Sequence, residues 1–121
     1  MHLKVFFLII LILSIFFNTS CANEKYGGEI DPKSPLVTVK DIYLNKDLLN
    51  KKVNLEGIII TQCQASGCWF FLKDSTGQIF INLAPKGFTL PPKTGKKAKV
   101  TGFVSNMGDN RVIIAEAVEI Y

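Results

Sequence analysis

Few residues in this chain of 121 carry obvious chemistry, and the most particular of them are two cysteines. Cys63 and Cys68 belong to the run CQASGCWFFLKD and stand at C-x4-C spacing across a short turn that holds Gly67. If the flanking segments are strands, directly opposed residues lie about 4.5 to 5.5 Å apart at Cα, within disulfide range. In an exported protein the oxidised pair is the default, and closing so short a loop contributes on the order of 2 kcal/mol. The expectation is therefore a structural disulfide on the core side of the hairpin, inert to alkylation. The same two sulfurs leave other chemistry open: thiolates that hold a soft metal such as Cu(I), with Met107 as a further donor, or a redox pair. The C-x2-C spacing of zinc knuckles and thioredoxin-like motifs is not what this hairpin shows, and the residues name no cofactor and no particular metal.

The other candidates are soon spent. The single histidine, His2, lies in an apolar leader, which excludes a His-dependent active site or an imidazole zinc site from the rest of the chain. Glu56, Asp74 and Asp109 each have a turn or a solvated strand face to explain them, so no catalytic residue and no enzyme is expected. Formal charge is +4, from 14 Lys+Arg against 10 Asp+Glu. The one dense group, Lys93, Lys96, Lys97 and Lys99, falls in a loop and strand start and does not by itself imply nucleic acid.

The third cysteine, Cys21, follows the leader. MHLK is a short positive segment and VFFLIILILSIFF an apolar run of 13 residues, spanning roughly 20 Å as a helix against the roughly 30 Å of a bilayer core. That is an export signal rather than a permanent span. Asn18-Thr19-Ser20-Cys21 resembles a bacterial lipobox, although Asn18 stands where the pattern prefers Leu. The resemblance implies a lipid anchor on Cys21, hence a membrane-attached protein of the cell envelope facing the periplasm or the exterior. Ala22 is not the aspartate of an inner-membrane retention signal. The implied organisation is a lipoprotein signal peptide over 1–20, a flexible tether over 21–36 containing Gly27-Gly28, Pro32 and Pro35, and one folded domain over 37–121.

What positions the cysteine hairpin is a set of strands. Thr38 followed three residues later by Asp41 approximates a capping box, and Ile42, Leu44, Leu48 and Leu49 supply apolar anchors for short helical pieces over 39–49. KVNLEGIIITQC places Val53, Leu55, Gly57 and Ile59 at period two, a half-buried strand. CWFFLK and QIFINL make a second and a third strand around the turn Asp74-Ser75-Thr76-Gly77. The proline-rich stretch PKGFTLPPKTG is a long connection, and KAKVTGFVSN and RVIIAEAVEIY form a last hairpin around Met107 to Asn110. Five strands ordered three, long loop, two, with Gly57 and Gly102 inside strands where tight coiling is needed, predict an all-β, five-stranded Greek-key barrel of the OB-fold type with a short helical segment before it. An SH3-like barrel is the competitor.

Closing the second hairpin at Asp74 to Gly77 opposes Leu72 to Ile79, Phe70 to Ile81 and Cys68 to Leu83 as the interior set. Phe71 then faces Phe80, and Trp69 faces Asn82, on the outside. A Cys63 to Cys68 pairing carries Val53, Leu55, Ile59 and Cys63 into the interior as well. Ile58, Ile60, Trp69, Phe71 and Phe80 remain as an outer apolar patch larger than a monomer usually exposes. Either the amphipathic segment around Ile42, Leu44, Leu48 and Leu49 covers it, or a ligand does.

The run C-x3-G-C-W, the aromatic strand after it, the KD-x-x-G turn and Gly87-Phe88 before the prolines resemble a family of uncharacterised exported bacterial OB-fold (tRNA-anti-like) lipoproteins over roughly 50–121. The resemblance implies a fold and an envelope location, with no activity attached. The expected function is a non-enzymatic envelope lipoprotein whose barrel binds a partner protein, a small ligand or a metal, with Trp69, Phe71, Phe80 and Lys73 as the ligand face. Two alternatives stand beside it. One is a single-stranded nucleic-acid module stacking bases on Trp69, Phe71 and Phe80 with Lys73 and Lys86 near phosphates, ranked low because an exported domain rarely meets nucleic acid. The other is a thiol redox or soft-metal-handling protein using Cys63 and Cys68.

Overall fold

The structure, a computed structural model, describes residues 23–121. The signal peptide and the lipid-anchor residue Cys21 lie outside the described residues. In chain order the elements are β1 (Glu24–Gly27), the helix α1 (Val39–Leu44), a 3-10 turn (Lys46–Leu48), β2 (Lys52–Gln62), β3 (Trp69–Lys73), β4 (Gln78–Asn82), a second 3-10 turn (Ala84–Lys86), β5 (Lys97–Met107) and β6 (Asn110–Ile120).

Strands β2, β3 and β4 form an antiparallel meander, β4 runs parallel to β6, and β5 pairs antiparallel with both β6 and β2. The sheet therefore closes on itself. Three strands in a meander, a parallel contact between the third and the last, and the fourth inserted between last and first define the OB-fold, as the strand count and spacing predict. Inward positions alternate along each strand: Val53, Leu55 and Ile59 from β2, Phe70 and Leu72 from β3, Ile79 and Ile81 from β4, Val100 and Val104 from β5 and Ile113 from β6 are almost wholly buried in one core. The long β5–β6 hairpin must bend to wrap this core. It does so at an irregularity between Thr101 and Gly102, where a Cβ on Gly102 would sit 2.5 Å from the carbonyl oxygen of Ile114.

The helix begins where the capping box puts it, with the Thr38 hydroxyl accepting from Asp41 N–H and the Asp41 carboxylate accepting from Thr38 N–H. Its apolar residues Val39 and Ile42 enter the barrel core, while Leu44 is 70% exposed. Val39 N–H donates to the Asp74 carboxylate at 2.9 Å, Lys40 N–H to the Thr76 hydroxyl at 3.0 Å and Tyr43 O–H to Gln78 O at 3.1 Å. The helix thus stoppers the barrel at the β3–β4 turn. Of the two covers open to the outer aromatic patch, this segment is not the one, because its buried side chains Val39 and Ile42 are spent on the core.

The segment expected to be a tether is built into the domain from its first described residues. β1 pairs with the second half of β6, from Glu24 opposite Ile120 to Gly27 opposite Ala117. β4 is too short to fill that edge, since it contacts β6 only from Val112 to Ile114. Beyond β1, Asp31 N–H donates to the Thr101 hydroxyl, and the buried Asn54 amide donates to Asp31 O at 2.7 Å and Ser34 O at 3.0 Å. A polar residue inside β2 is thereby satisfied by the strap that crosses it.

Candidate functional site

Two groups of residues at one end of β3 gather the features a binding or reactive site needs. The first is the outer face of the β3–β4 hairpin. The ladder pairs Trp69 with Asn82, Phe70 with Ile81, Phe71 with Phe80 and Leu72 with Ile79, the register expected from the turn. Alternation therefore throws Trp69, Phe71 and Phe80 outward, where all three are half-buried. Their rings pack on one another: Trp69 to Phe80 at 5.6 Å, Phe71 to Phe80 at 5.5 Å and edge-on, and Trp69 to Phe71 at 6.0 Å and edge-on. Lys73, exposed at the far end of β3, lines a shallow recess of about 530 Å³ with Gly57, Ile58 and Ile60, and Ile58 is 44% exposed.

Charge around this face is modest. Lys86, expected beside the aromatics, turns instead to Glu116 at 3.8 Å and lies 5.8 Å from the centre of the Phe103 ring. Lys93 is paired with Glu24 at 2.7 Å and Lys99 with Glu56 at 3.6 Å, so two members of the dense lysine group are engaged by carboxylates.

The second group is the cysteine hairpin, and here the structure departs from the expected register. Along β2–β3, Ile58 faces Lys73 and Ile59 faces Leu72, but a bulge at Ile60 shifts the pairing so that Thr61 faces Phe71 and Gln62 faces Phe70. One extra residue reverses the parity of everything after it. Cys63 consequently pairs with Trp69, donating its N–H to Trp69 O at 3.1 Å, and not with Cys68. Both cysteines are half-buried free thiols. The core-side placement of Cys63 is thus corrected by the bulge, whereas Cys68 keeps its expected place opposite Leu83, whose N–H donates to Cys68 O at 2.9 Å.

The interior position that Cys63 was expected to hold belongs to Gln62. Its amide donates to Leu90 O at 2.9 Å and Pro91 O at 2.7 Å, and its carbonyl accepts from Lys93 N–H at 2.9 Å. Leu90 N–H in turn donates to Gly67 O at 2.9 Å. Gly67, with φ of +63°, lies so close to the backbone of Leu90 that a Cβ there would collide with the Leu90 carbonyl oxygen. The proline-rich loop is therefore clasped to the cysteine turn by Gln62 and Gly67. Between them opens a groove of about 620 Å³ lined by Gln62 to Gly67 and by residues of the loop from Thr89 to Thr94, with no Lys, Arg, Asp or Glu side chain among those lining it.

Ser66 joins the two sulfurs: its hydroxyl lies 3.5 Å from Cys63 Sγ and 3.2 Å from Cys68 Sγ, so its one proton can serve either, and it goes to Cys63 when that sulfur is ionised. The Ser66 hydroxyl, together with the backbone N–H groups of Ser66, Ala65 and Cys68, holds the Cys63 thiol down at a pKa of about 6. Met107 cannot complete a metal site here. β2 begins opposite Phe103, so Met107, at the β5–β6 turn, lies beyond the start of β2 while Cys63 follows its last residue. Among the described residues no group of three or more Cys, His, Asp or Glu comes together. Neither Gln62 nor Ser66 stands out in the sequence; the only signal is the unbroken run Ile58-Ile59-Ile60, which no strict alternation accommodates.

The fold places the chain among OB-fold domains, and solved structures agree. The hypothetical protein ygiW of E. coli matches with a TM-score of 0.56 at 22% identity, over 78% of this chain and 99% of that one. Asparaginyl-tRNA synthetase of Pyrococcus horikoshii matches with a TM-score of 0.56 at 18% identity, over 69% of this chain and only 22% of the synthetase. No protein-family model and no curated protein matches the sequence.

Proposed function

We propose that this protein is a lipid-anchored OB-fold binding module of the bacterial cell envelope, non-enzymatic, which presents Trp69, Phe71 and Phe80 to a partner protein or small ligand. The observation that carries the reading is the aromatic cluster: three mutually packed rings on the outside of β3–β4, half-exposed, with the helix that could have covered them used as a barrel stopper. Packed rings present a large, stiff apolar surface at small entropic cost on binding. The leader and lipobox-like sequence supply the anchor through Cys21. No helix among the described residues is long and apolar enough to cross a membrane. Single-stranded nucleic acid is the weaker occupant, because stacking platforms work beside a basic groove and here Lys86, Lys93 and Lys99 are paired with carboxylates.

The test places a photo-crosslinking phenylalanine analogue at position 71 in the native host, with the same analogue at Tyr121 as control. A discrete adduct formed from position 71 and lost in Trp69→Ala supports the reading. Adducts identical to those of the control, or a shift of Trp69 fluorescence produced only by single-stranded oligonucleotides, would overturn it. The anchor is tested separately: Cys21→Ala should free the protein from membranes and remove a lipid mass.

A further inference from the structure

Three features of the cysteine turn meet at one place. Cys63 lines the groove, Cys68 is not among the lining residues, and the Ser66 hydroxyl touches both sulfurs. Two thiols, one of them at the groove, with a shared hydrogen-bonding group, are a complete set for thiol–disulfide exchange, whereas for a metal they are half a set: no His, Asp, Glu or further Cys joins them among the described residues.

We propose that Cys63 and Cys68 form a dithiol that reduces a small uncharged disulfide, Cys63 attacking and Cys68 resolving. The Cys63 thiolate attacks one sulfur of the substrate, whose S–S bond breaks. One half leaves as a thiolate with the bonding pair, and Cys63 is left in a mixed disulfide. Cys68 then gives its proton to solvent and attacks Cys63 Sγ. The mixed bond breaks, the second half leaves as a thiolate and takes up a proton, and a Cys63–Cys68 disulfide remains. The substrate gains two electrons and the hairpin loses two. With its thiol held at a pKa of about 6, Cys63 is mostly thiolate at neutral pH. The Ser66 hydroxyl and the backbone N–H groups of Ser66, Ala65 and Cys68 that achieve this belong to the turn itself. The hairpin disulfide expected from spacing alone is, on this proposal, the product of the reaction.

The chosen probe is bis(2-hydroxyethyl) disulfide, small and without charge, to suit a groove that has no Lys, Arg, Asp or Glu in its lining. Reduced protein should consume one equivalent, release two thiols and end with a Cys63–Cys68 disulfide by mass spectrometry. Cys68→Ser should stop at a mixed disulfide on Cys63, and Cys63→Ser should react at Cys68 at least about tenfold more slowly at pH 7. Equal rates in the two variants, or a wild-type product carrying two mercaptoethanol adducts and no internal bond, would overturn the proposal. Should a variant fail to fold, alkylation of the wild type by iodoacetamide decides. A rate for Cys63 rising with a midpoint near pH 6 supports the assignment, and a midpoint at ordinary thiol values refutes it.

Discussion

The two hairpins that share β3 end in different ways, and the difference explains where chemistry can sit on this barrel. The β3–β4 turn is locked by one carboxylate. Asp74 accepts from Thr76 N–H at 2.8 Å, Gly77 N–H at 3.1 Å and the Thr76 hydroxyl at 2.6 Å, and with its other oxygen from Val39 N–H of the helix. Register, turn and helix cap are thereby fixed together. The β2–β3 connection has no such lock. It carries a bulge, spends an amide side chain on holding a distant loop, and leaves two sulfurs half-exposed beside a groove. Tightness at one end of β3 and slack at the other are what let the same strand serve both as core and as site.

The sharpest way to break the comparison is to attack what both hairpins hold in common. Phe70 opposes Ile81 on one side and Gln62 on the other and is fully buried. Phe70→Ala should cost about 3 to 5 kcal/mol, read as a lowered urea midpoint. A loss below about 1 kcal/mol would mean that the two ladders do not share this core residue.

Next comes the clasp at the loose end. Gln62→Ala leaves Leu90 O, Pro91 O and Lys93 N–H without their partner. A loss on the order of 2 kcal/mol is expected, with faster hydrogen exchange confined to the loop around Leu90 to Lys93 and the β3–β4 ladder unaffected. If exchange quickens equally across both hairpins, the ends are not independent.

The tight end is tested by acid. Burial alone would raise the Asp74 pKa, but hydrogen bonds from the Thr76 hydroxyl and from the N–H groups of Val39, Thr76 and Gly77 outweigh it and set the carboxyl below its usual value. A depressed folded-state pKa contributes stability that is present above the unfolded value near 4 and is lost as pH falls through the folded one. Asp74→Asn should therefore cost about 1 kcal/mol at pH 7 and progressively less below pH 4, where the wild type loses the same advantage. A difference between the two that stays constant from pH 7 to about pH 2 would show that Asp74 acts through shape and not through charge.

How much of this could be read from residues alone follows the same division. Alternation in CWFFLK and QIFINL, with Asp74 to Gly77 between them, is enough to place Phe70, Leu72, Ile79 and Ile81 inside and Trp69, Phe71 and Phe80 outside, because a locked turn leaves one register. Thr38 and Asp41 announce the helix start for a similarly local reason. The strand Glu24–Gly27 is not legible: EKYG has no apolar period, and it exists because β4 leaves half of β6 unpaired, a fact of the closed barrel. The bulge at Ile60 is equally hidden, since three successive isoleucines satisfy either parity, and every assignment carried past it to Cys63 inverts. Gln62, Ser66 and the groove follow from that inversion and from a loop that returns from about thirty residues away.

The smallest expected effect concerns the sulfurs themselves and separates the two placements most cleanly. If Cys63 faced the core, exchanging it for serine would bury a hydroxyl among apolar groups at a cost of about 1 to 3 kcal/mol. In the observed register both are half-buried, Cys68 Sγ is already hydrogen-bonded to the Ser66 hydroxyl, and Cys68 holds Leu83 through its backbone carbonyl at 2.9 Å, a contact that no side-chain change removes. Serine can accept from the same hydroxyl. Cys63→Ser and Cys68→Ser, each compared with fully reduced wild type in urea unfolding, should therefore shift stability by no more than about 0.5 kcal/mol. A loss above about 1.5 kcal/mol at Cys63 would restore the interior parity, remove the bulge from β2, and take with it the exposed thiol on which exchange chemistry at this hairpin depends.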